Sequence, residues 1–376
     1  MKYYIISGEA SGDLHGSNLI KEIKKLDVDA NIRCWGGDMM QAAGAVLVKH
    51  YRDLAFMGFA EVVMNLKTIL NNLKICKEDI LKFQPDVLIL IDYPGFNLRI
   101  AEWVKSVSGQ QLTANCKTVF YISPQVWAWK ESRVPKMKKT IDKMIVILPF
   151  EKDYYKNKWD WNVDYVGHPL VQVVDEFRLS STNNQSQANN IIALLPGSRK
   201  QEISKKLPIM LEVSRHFPQY QFVLAKAPGL EDTFYTTFMH NYTNVSAVRN
   251  KTYQLLMQSK AALVTSGTAT LETALFGVPE VVCYKGSNIS YQIAKRLIKI
   301  KYIALVNLIM DKPVVKELIQ NDLTVENIKR ELSLLLFDEA KQAQVKKDYE
   351  DLKNVLSAGG NASANAAKIV YDTVNN

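Results

Sequence analysis

The sequence contains little cysteine and lacks long apolar runs. Its four cysteines, Cys34, Cys76, Cys116 and Cys283, lie far apart and form no CxxC pair. Neither a disulfide framework nor a zinc site is therefore indicated, and a reducing cytosol fits best. No stretch approaches the length of a membrane span, and the apolar run within residues 1–9 is too short for a signal peptide. We expect a cytoplasmic protein that contacts a membrane, where it does so, from one side only.

Signatures of several common enzyme classes are absent as well. The glycines of residues 7–16 stand four apart, so they do not form the G-x-G-x-x-G fingerprint, and a nicotinamide-binding site is disfavoured. No G-x-S-x-G elbow follows a predicted strand, which leaves a Ser-His-Asp hydrolase without support. The acidic pair Asp27 and Asp29 follows a Lys-rich helix instead of a strand, and we interpret it as a solvated turn. We expect neither a metal ion nor another cofactor.

The composition is that of a globular chain with an excess of basic residues. Of the 376 residues, 47% are hydrophobic and 23% are charged, which suits two domains of roughly 150 to 200 residues, each with its own core. The net charge of +9 favours an anionic partner such as nucleic acid, an acidic lipid surface or a phosphorylated substrate. Lys and Arg are spread through the chain instead of clustering with aromatic residues, so nucleic acid is not expected.

Both halves of the chain alternate short apolar runs with amphipathic segments, the pattern of a parallel sheet covered by helices on both faces. Strands are predicted at residues 3–7, 32–35, 87–91, 118–122 and 144–148, and again at 191–195, 221–225, 261–265 and 278–284. From Pro313 onwards the sequence predicts helices without strands, including 340–357 and 362–374. The fold class is therefore α/β, with two Rossmann-like domains facing a cleft and a C-terminal helix packing back on the N-terminal domain. The predicted boundaries are 1–168, a linker at 169–190, 191–350, and the returning helix at 351–376.

Two loops of the N-terminal half follow predicted strands and carry polar side chains. In the first, Glu9, Ser11 and Asp13 offer groups for ligand hydroxyls, although Ser11 or Asp13 could instead cap the first helix. In the second, Asp92 ends a buried strand, where loss of solvent can raise a carboxyl pKa towards that of a useful base. An Asp that only stabilises its own turn is the competing interpretation. The cleft expected at the end of this apolar strand favours function for Asp92.

Two further N-terminal segments are weaker candidates. Gln125, Trp127 and Trp129 follow another strand, and aromatic faces beside an amide suit a sugar or an acyl chain, although Trp more often belongs to a core or an interface. His168 lies at the expected domain junction, where it could contact a ligand. A single His is more often structural.

The second half contains two strand–loop–helix junctions that suit an anion. Residues 191–203 end an apolar strand at Pro196-Gly197 and continue into a helix, whose unpaired N–H groups and positive dipole end favour a phosphate. Arg199 adds a charged, planar fork there, although it could equally be solvated. Residues 265–272 repeat the arrangement, with Glu272 one turn into the helix and placed for ribose hydroxyls. Two such junctions together favour a nucleotide site.

Residues 54–73 form an unusually apolar stretch with helical spacing. It contains Met57, Val62, Leu66, Ile69 and Leu70, and it is flanked by lysines. Such a stripe normally faces a core, but an interfacial helix that dips into a bilayer also fits. From the residues alone, the core is favoured.

A series of short motifs runs along nearly the whole chain in a fixed order. They are residues 7–13, 57–58 with 61–62, 91–97, 123–129, 166–169, 195–199 with 202–203, 266–272 and 306–308. Together they resemble the successive signatures of the lipid-A-disaccharide synthase family. The one visible departure is Lys316, where the family pattern would place Pro.

The resemblance implies a metal-independent, inverting glycosyltransferase of the B-type fold. It would be peripheral on the cytoplasmic face of the inner membrane of a Gram-negative bacterium. The substrates would be UDP-2,3-diacylglucosamine and 2,3-diacylglucosamine 1-phosphate, joined through a β-1,6 bond with release of UDP. The resemblance also suggests a homodimer that exchanges C-terminal segments, and it favours membrane and acyl-chain contact for the helix at 54–73.

Combined with this chemistry, the residues receive expected roles. Asp92 is the candidate base, Arg199 and the helix starts at Ser198 and Gly267 would neutralise departing UDP, and Glu272 would hold the ribose. The other candidates for substrate binding are Glu9, Ser11, Gly12, His15, Gln125, His168, Gly197, Ser266 and Thr268. The alternative enzyme is a UDP-N-acetylglucosamine 2-epimerase, which shares the fold and a nucleotide site but needs no second substrate.

Overall fold

The protein folds into two compact units. The structure is a computed structural model that describes residues 1–54, 66–112, 116–181, 190–227, 229–286, 291 and 300–375. One unit consists of Met1–Pro169 with Ser357–Asn376, and the other of Leu170–Leu356. Each contains one parallel sheet, which confirms the prediction of two α/β domains.

The first unit has a seven-stranded sheet in the order β3-β2-β1-β4-β5-β6-β7. Its strands are β1 Lys2–Ser7, β2 Asn31–Gly36, β3 Val46–His50, β4 Val87–Ile91, β5 Lys117–Tyr121, β6 Lys143–Val146 and β7 Asp164–Tyr165. Its helices are α1 Ala10–Leu26, α2 Asp38–Ala42, α3 Leu66–Phe83, α4 Pro94–Val107, α5 Val134–Thr140 and α6 Pro149–Trp159. Strand β4 is fully buried along its length because helices cover both faces of a parallel sheet.

The second unit has a six-stranded sheet in the order β10-β9-β8-β11-β12-β13. Its strands are β8 Ile191–Leu195, β9 Gln221–Lys226, β10 Val245–Arg249, β11 Ser259–Thr265, β12 Glu280–Tyr284 and β13 Lys316–Ile319. Its helices are α7 Pro169–Ser180, α8 Lys200–Val213, α9 Asp232–Met239, α10 Thr252–Gln258, α11 Thr268–Leu275, α12 Leu305–Met310, α13 Val325–Phe337 and α14 Glu339–Ser357. Both sheets therefore have Rossmann topology, in which the chain order reverses at the first strand of the unit.

The last helix, α15 Ala362–Asn375, returns to the first unit and packs along α1. The turn before it lies against the backbone of the first unit, since a Cβ added at Gly359 would come within 2.2 Å of the Gly167 nitrogen. Asn365 Nδ2 also donates to the Val166 carbonyl at 3.3 Å. The predicted return of the C-terminal helix to the N-terminal domain is confirmed.

Several local predictions require correction. Strand β13 contradicts the expectation of helices alone after Pro313; it pairs in parallel with β12, and Lys316 stands opposite Val281. A four-residue strand gives too short a periodic signal to be recognised from sequence. The predicted solvated turn is present at residues 28–29, which are exposed, but Asp27 is only half-exposed. Its carboxylate accepts from the Met1 ammonium at 2.8 Å and from the Tyr3 hydroxyl at 3.0 Å.

The limits of the two units differ from the expected domain boundaries. The expected linker at 169–190 begins with helix α7, whose Leu170 and Val174 are buried in the core of the second unit. Helix α14 runs without interruption through residue 350, where a boundary was expected.

The apolar stretch at 54–73 is only partly described. Met57 and Val62 lie outside the described residues, and α3 begins at Leu66. Along α3, Ile69 is half-buried and Leu70 is 56% exposed. In the part of the chain that the structure describes, no helix is long and apolar enough to cross a membrane.

Candidate functional site

The candidate residues of each unit follow the two central strands of its sheet. In the first unit, the loops after β1 and β4 contain Glu9 and Asp92. In the second unit, the loops after β8 and β11 contain Arg199 and Gly267. Each pair of strands is adjacent, and the order of the sheet reverses between its members, which is where open α/β sheets bind ligands.

The turn that presents Asp92 has an unusual backbone. Asp92 and Tyr93 both adopt left-handed conformations, with φ of 45° and 48°, which non-glycine residues rarely do. Asn97, fully buried, holds the turn by donating from Nδ2 to the carbonyls of Asp92 at 2.7 Å and Ile91 at 3.2 Å. The Asp92 N–H donates to the Tyr121 carbonyl at 3.2 Å. The Asp92 side chain therefore leaves the sheet from a fixed backbone.

The environment of Asp92 favours its protonated form. Burial, followed by the negative charge of Glu9, raises the pKa of Asp92 from 3.8 to about 6, and the Tyr93 N–H opposes the shift. The side chain is only half-buried, so it remains accessible to a ligand. A carboxylate with this proton affinity suits a general base near neutral pH.

The first loop fits closely against the Asp92 turn. The Tyr93 ring occupies the space beside Gly8, since a Cβ added there would lie 2.4 Å from the ring. Gly12 is similarly close to Ser7, at 2.8 Å from its Cβ. Ser11 is exposed, and Glu9 precedes α1 without a side-chain cap to it. The loop thus brings Glu9 close enough to Asp92 to affect its pKa.

Asp13 has a different role from the one expected. Its carboxylate accepts from the N–H groups of Gly37 at 2.8 Å, Met39 at 3.1 Å and Met40 at 3.0 Å. It therefore caps α2 instead of α1, and both of its carboxylate oxygens accept hydrogen bonds from that helix start. Sequence spacing could not indicate this, because the capped helix starts 25 residues later in the chain.

His15 and His168 are both buried in the first unit, at 6% and 5% exposure. Burial lowers the pKa of His15 to about 4, and burial together with the charge of His15 lowers that of His168 to about 3. The two rings are therefore close to one another and neutral at physiological pH. They can form hydrogen bonds with hydroxyls but cannot supply positive charge to a phosphate.

Glu151 also lies in the first unit, but it was not predicted as a candidate from the sequence. It is 1% exposed, accepts from Trp127 Nε1 at 3.1 Å and from the Leu148 N–H at 3.0 Å, and caps α6. Burial raises the pKa of Glu151 to about 7, and the charge of Asp92 adds to the shift. The expected ligand contact Gln125 is exposed, on the loop that also contains Trp127. A Glu at the third position of a helix that starts with Pro is the only clue, and it indicates a cap.

In the second unit, the seven predicted residues line one pocket of about 460 Å³. They are Gly197, Ser198, Arg199, Ser266, Gly267, Thr268 and Glu272. Gly197 and Gly267 have φ of 112° and 133°, which favour glycine strongly, so each strand turns abruptly into its helix. The first turns of α8 and α11 then present N–H groups to the pocket, an arrangement suited to phosphate oxygens. Helix α8 begins at Lys200, two residues later than expected.

Charged side chains support one side of this pocket. Arg199 is exposed and donates from Nη1 to Glu202 at 3.2 Å. Glu202 also lies 3.7 Å from the ammonium of Lys206, which is 1% exposed and bonded to the Thr265 hydroxyl. Burial lowers the pKa of Lys206, and Glu202 opposes the shift. Lys206 was not predicted as a site residue, because in sequence a buried lysine of a basic helix cannot be told from a solvated one.

Two other predicted residues are held by protein groups. Glu272 Oε1 accepts from the Tyr253 hydroxyl at 2.7 Å, and burial raises the pKa of this carboxyl. The Ser266 hydroxyl donates to the Ile303 carbonyl at 2.9 Å, whereas Thr268 is exposed. Glu272 is therefore fixed in orientation at the pocket wall, and Ser266 mainly stabilises the loop.

Comparison with solved structures defines the class of fold. UDP-GlcNAc 2-epimerase from Neisseria meningitidis, bound to UDP-GlcNAc, is similar with a TM-score of 0.65 at 13% identity, and both chains are covered in full. CalG4, the calicheamicin glycosyltransferase, has a TM-score of 0.59 at 15% identity over 100% of this chain and 98% of its own. The protein therefore has the two-domain architecture shared by B-type glycosyltransferases and these epimerases.

Sequence comparison then gives the family. The family model for Lipid-A-disaccharide synthetase matches residues 3–371. Lipid-A-disaccharide synthase from Geobacter metallireducens is 36% identical and covers 98% of this chain and 96% of its own length. The enzyme from Coxiella burnetii is 34% identical and covers 98% of both. The chain belongs to the lipid-A-disaccharide synthase family of glycosyltransferases, which act in lipid A biosynthesis, and the family predicted from the motifs is confirmed.

Proposed function

We propose that the protein transfers 2,3-diacylglucosamine from its UDP donor to the 6-hydroxyl of 2,3-diacylglucosamine 1-phosphate. The products are the β-1,6-linked disaccharide 1-phosphate and UDP. The observation that carries the assignment of the chemistry is Asp92, a half-buried carboxylate on a rigid turn with a pKa raised to about 6. Membership of the family supports the choice of substrates.

The proposed step is a single displacement with inversion. The acceptor oxygen attacks the anomeric carbon of the donor sugar from the face opposite UDP. The new bond between oxygen and carbon forms as the bond from the anomeric carbon to UDP breaks, and the electron pair leaves with UDP. Asp92 accepts the proton of the 6-hydroxyl as the new bond forms.

The pocket of the second unit is the proposed UDP site. Arg199 and the N-terminal turns of α8 and α11 neutralise the charge that develops on UDP as it leaves, without a metal ion. Glu272, held by Tyr253 at 2.7 Å, accepts hydrogen bonds from the ribose. The dimensions of the pocket, about 460 Å³, lie in the usual range for ligand sites.

The remaining residues of the first unit orient the sugars. Glu9 and the neutral rings of His15 and His168 offer hydrogen bonds to hydroxyls. Ser11, Gly12 and Gln125 complete the proposed set, with Ser11 and Gln125 exposed and available to a ligand.

Location and assembly are also part of the proposal. The protein binds the cytoplasmic face of the inner membrane through the segment 54–73, and the exposed Leu70 on α3 supports this contact. It forms a homodimer that exchanges C-terminal segments. Within one chain α15 packs on α1, so exchange would reproduce the same contact between two copies.

The decisive experiment measures UDP release from UDP-2,3-diacylglucosamine with and without the lipid acceptor. Release that requires the acceptor, together with a β-linked product by NMR, is expected. No acceptor-dependent release would refute the proposed reaction. The assay is repeated with EDTA, and inhibition by the chelator would contradict metal-independent transfer.

A UDP-N-acetylglucosamine 2-epimerase is the alternative, since solved epimerases share the fold. Such an enzyme acts on a soluble UDP-sugar alone. Incubation with UDP-N-acetylglucosamine and no acceptor separates the two functions: the proposed transferase returns the sugar unchanged, whereas an epimerase converts it to the 2-epimer.

A further inference from the structure

We propose that a basic cavity between α4 and α5 of the first unit binds the phosphate of the acceptor. The cavity has a volume of about 350 Å³, and its wall includes Gly95, Arg99, Glu102, Arg133 and Lys136. None of these residues belongs to the site described above. The inference rests on the proposed function, because the acceptor in that reaction carries a phosphate monoester.

The cavity holds more positive charge than its own carboxylate can balance. Glu102 is already paired with Lys136 at 2.6 Å. Among the residues that the structure describes, no carboxylate forms an ion pair with Arg99 or Arg133. Burial and the charge of Arg99 lower the pKa of Arg133, so the two guanidinium groups are close enough to repel one another. An anion between them would remove this repulsion, and a guanidinium fork suits phosphate oxygens.

The position of the cavity fits the acceptor. Pro94 and Gly95 form its wall at the start of α4 and follow the Asp92 turn directly in the chain. A Cβ added at Gly95 would meet nothing within 4 Å, so the first turn of the helix is open at this point. A sugar whose 6-hydroxyl lies at Asp92 could therefore place its phosphate in the cavity.

The two buried histidines of this unit carry no charge before an anion binds. His15 and His168 are neutral at physiological pH because burial lowers their pKa values to about 4 and about 3. A phosphate bound beside them would first have to raise these pKa values by several units, which reduces its affinity there. Guanidinium groups such as those lining the cavity are cationic in the physiological pH range and need no such change.

The test replaces each arginine by glutamine, as Arg99→Gln, Arg133→Gln and the double variant. Lys139→Gln is the matched control, because Lys139 is an exposed cation on α5 that does not line the cavity. Acceptor KM, donor KM and kcat are measured in detergent micelles with 2,3-diacylglucosamine 1-phosphate and with the same lipid lacking the phosphate. Thermal unfolding of each variant shows that it is folded.

We expect each arginine substitution to raise the KM for the phosphorylated acceptor by about tenfold to a hundredfold, the size of a lost charged hydrogen bond. The KM for the acceptor without phosphate, the donor KM and the Lys139→Gln control stay unchanged. An equal effect on both acceptors would mean that the arginines act on structure, and the inference would be overturned.

Failure of the inference and failure of the proposed function give different results. If the wild type releases no UDP, the function is wrong, and calorimetric titration with glucosamine 1-phosphate still tests the cavity. Binding to the wild type that is lost in Arg133→Gln supports the phosphate site, and no binding refutes it.

A lipid headgroup could supply a similar phosphate. Co-sedimentation with vesicles containing phosphatidylglycerol distinguishes the two sources. Unchanged vesicle binding in the double variant is expected. Loss of vesicle binding without a change in acceptor KM would assign the cavity to the membrane and overturn the proposal.

Discussion

The two sheets share one topology, yet the sites at their carboxyl edges differ in exposure. In the first unit, His15 and His168 are nearly inaccessible and Asp92 is half-buried. In the second unit, Ser198, Arg199 and Thr268 are exposed around an open pocket. Both sites use loops on either side of the strand-order reversal, so the difference lies in the loops and not in the topology.

This difference separates two kinds of chemistry. At the first site, burial changes the proton affinity of carboxyl groups, as the raised pKa values of Asp92 and Glu151 show. The second site has exposed residues and backbone N–H groups for an anion, although burial also shifts the pKa values of Lys206 and Glu272 at its wall. Proton transfer is therefore expected at the first site and charge neutralisation at the second.

The largest expected effect is that of Asp92→Asn, at the carboxyl edge of the first sheet. Asp92→Asn preserves the shape of the side chain but removes the proton acceptor, so kcat should fall by about 100-fold to 10,000-fold. Donor affinity, measured by calorimetry with UDP, should stay the same. Asp164→Asn is the control, since Asp164 is paired with Lys143 at 3.0 Å on the edge strand of the same sheet. Full activity in Asp92→Asn would remove the base assignment.

The next largest effect is expected for Arg199→Ala, at the pocket of the second unit. Arg199→Ala should reduce kcat/KM by about 100-fold to 1,000-fold, as for other groups that stabilise developing negative charge. Because the role is in the transition state, kcat should fall more than donor KM rises. Lys205→Ala, an exposed cation on the same helix, should behave as the wild type. An effect confined to KM would make Arg199 an anchor of the resting nucleotide instead.

The sequence predicted the sheets well because buried parallel strands are continuous apolar runs. Strands β4 and β8 begin and end where expected, at Val87–Ile91 and Ile191–Leu195. Strands β3, β7, β10 and β13 were missed. The short β7 has two residues, and β10, which is mostly half-buried, contains Ser246 and ends in Arg249, so neither presents an apolar run of useful length.

The candidate site was predictable where function depends on local chain geometry. Gly197 and Gly267 could be located because a strand–glycine–helix junction is visible in the sequence. The partners of buried charges could not, because they come from distant segments. Asp13 caps a helix that begins at residue 38, and Lys206 on α8 bonds to Thr265 at the end of β11. Contacts of this kind depend on the folded sheet.

The pH dependence of kcat/KM tests the electrostatic interaction between Glu9 and Asp92. Because the proposed base Asp92 accepts a proton only in its deprotonated form, kcat/KM should fall about tenfold per pH unit below about pH 6. Glu9 contributes to the raised pKa of Asp92, so Glu9→Gln should move this acid limb to lower pH. Glu22→Gln, at the far end of α1, should leave it in place. A limb that does not move in Glu9→Gln would exclude Glu9 as a neighbour of the titrating group.

The smallest expected effect is that of Glu280→Gln, which tests whether a raised carboxyl pKa is by itself a sign of function. Glu280 starts β12, at the amino edge of the second sheet, is 1% exposed, and has no hydrogen-bond partner for its carboxylate oxygens among the described residues. Burial raises the pKa of Glu280 well above 4.5. The folded protein therefore keeps a proton that the unfolded chain releases above pH 4.5, so the associated stability is present below that pH and is lost as the pH rises.

Glu280→Gln removes this proton uptake. The free energy of unfolding should rise at pH 7, by about 1.4 kcal/mol for each pH unit over which only the folded chain holds the proton. The gain should vanish at pH 4.5, and Glu78→Gln, at an exposed site, should show none. Thermal unfolding at pH 7 and pH 4.5 measures the change in stability, and the activity of the variant should stay unchanged. An equal gain in stability at both pH values would show that the substitution acts through packing instead. Asp92 and Glu280 share a raised pKa caused by burial, but Asp92 follows the carboxyl end of its strand whereas Glu280 begins the amino end of its own. Position on the sheet, more than proton affinity, is therefore the reason to propose catalysis for Asp92 and not for Glu280.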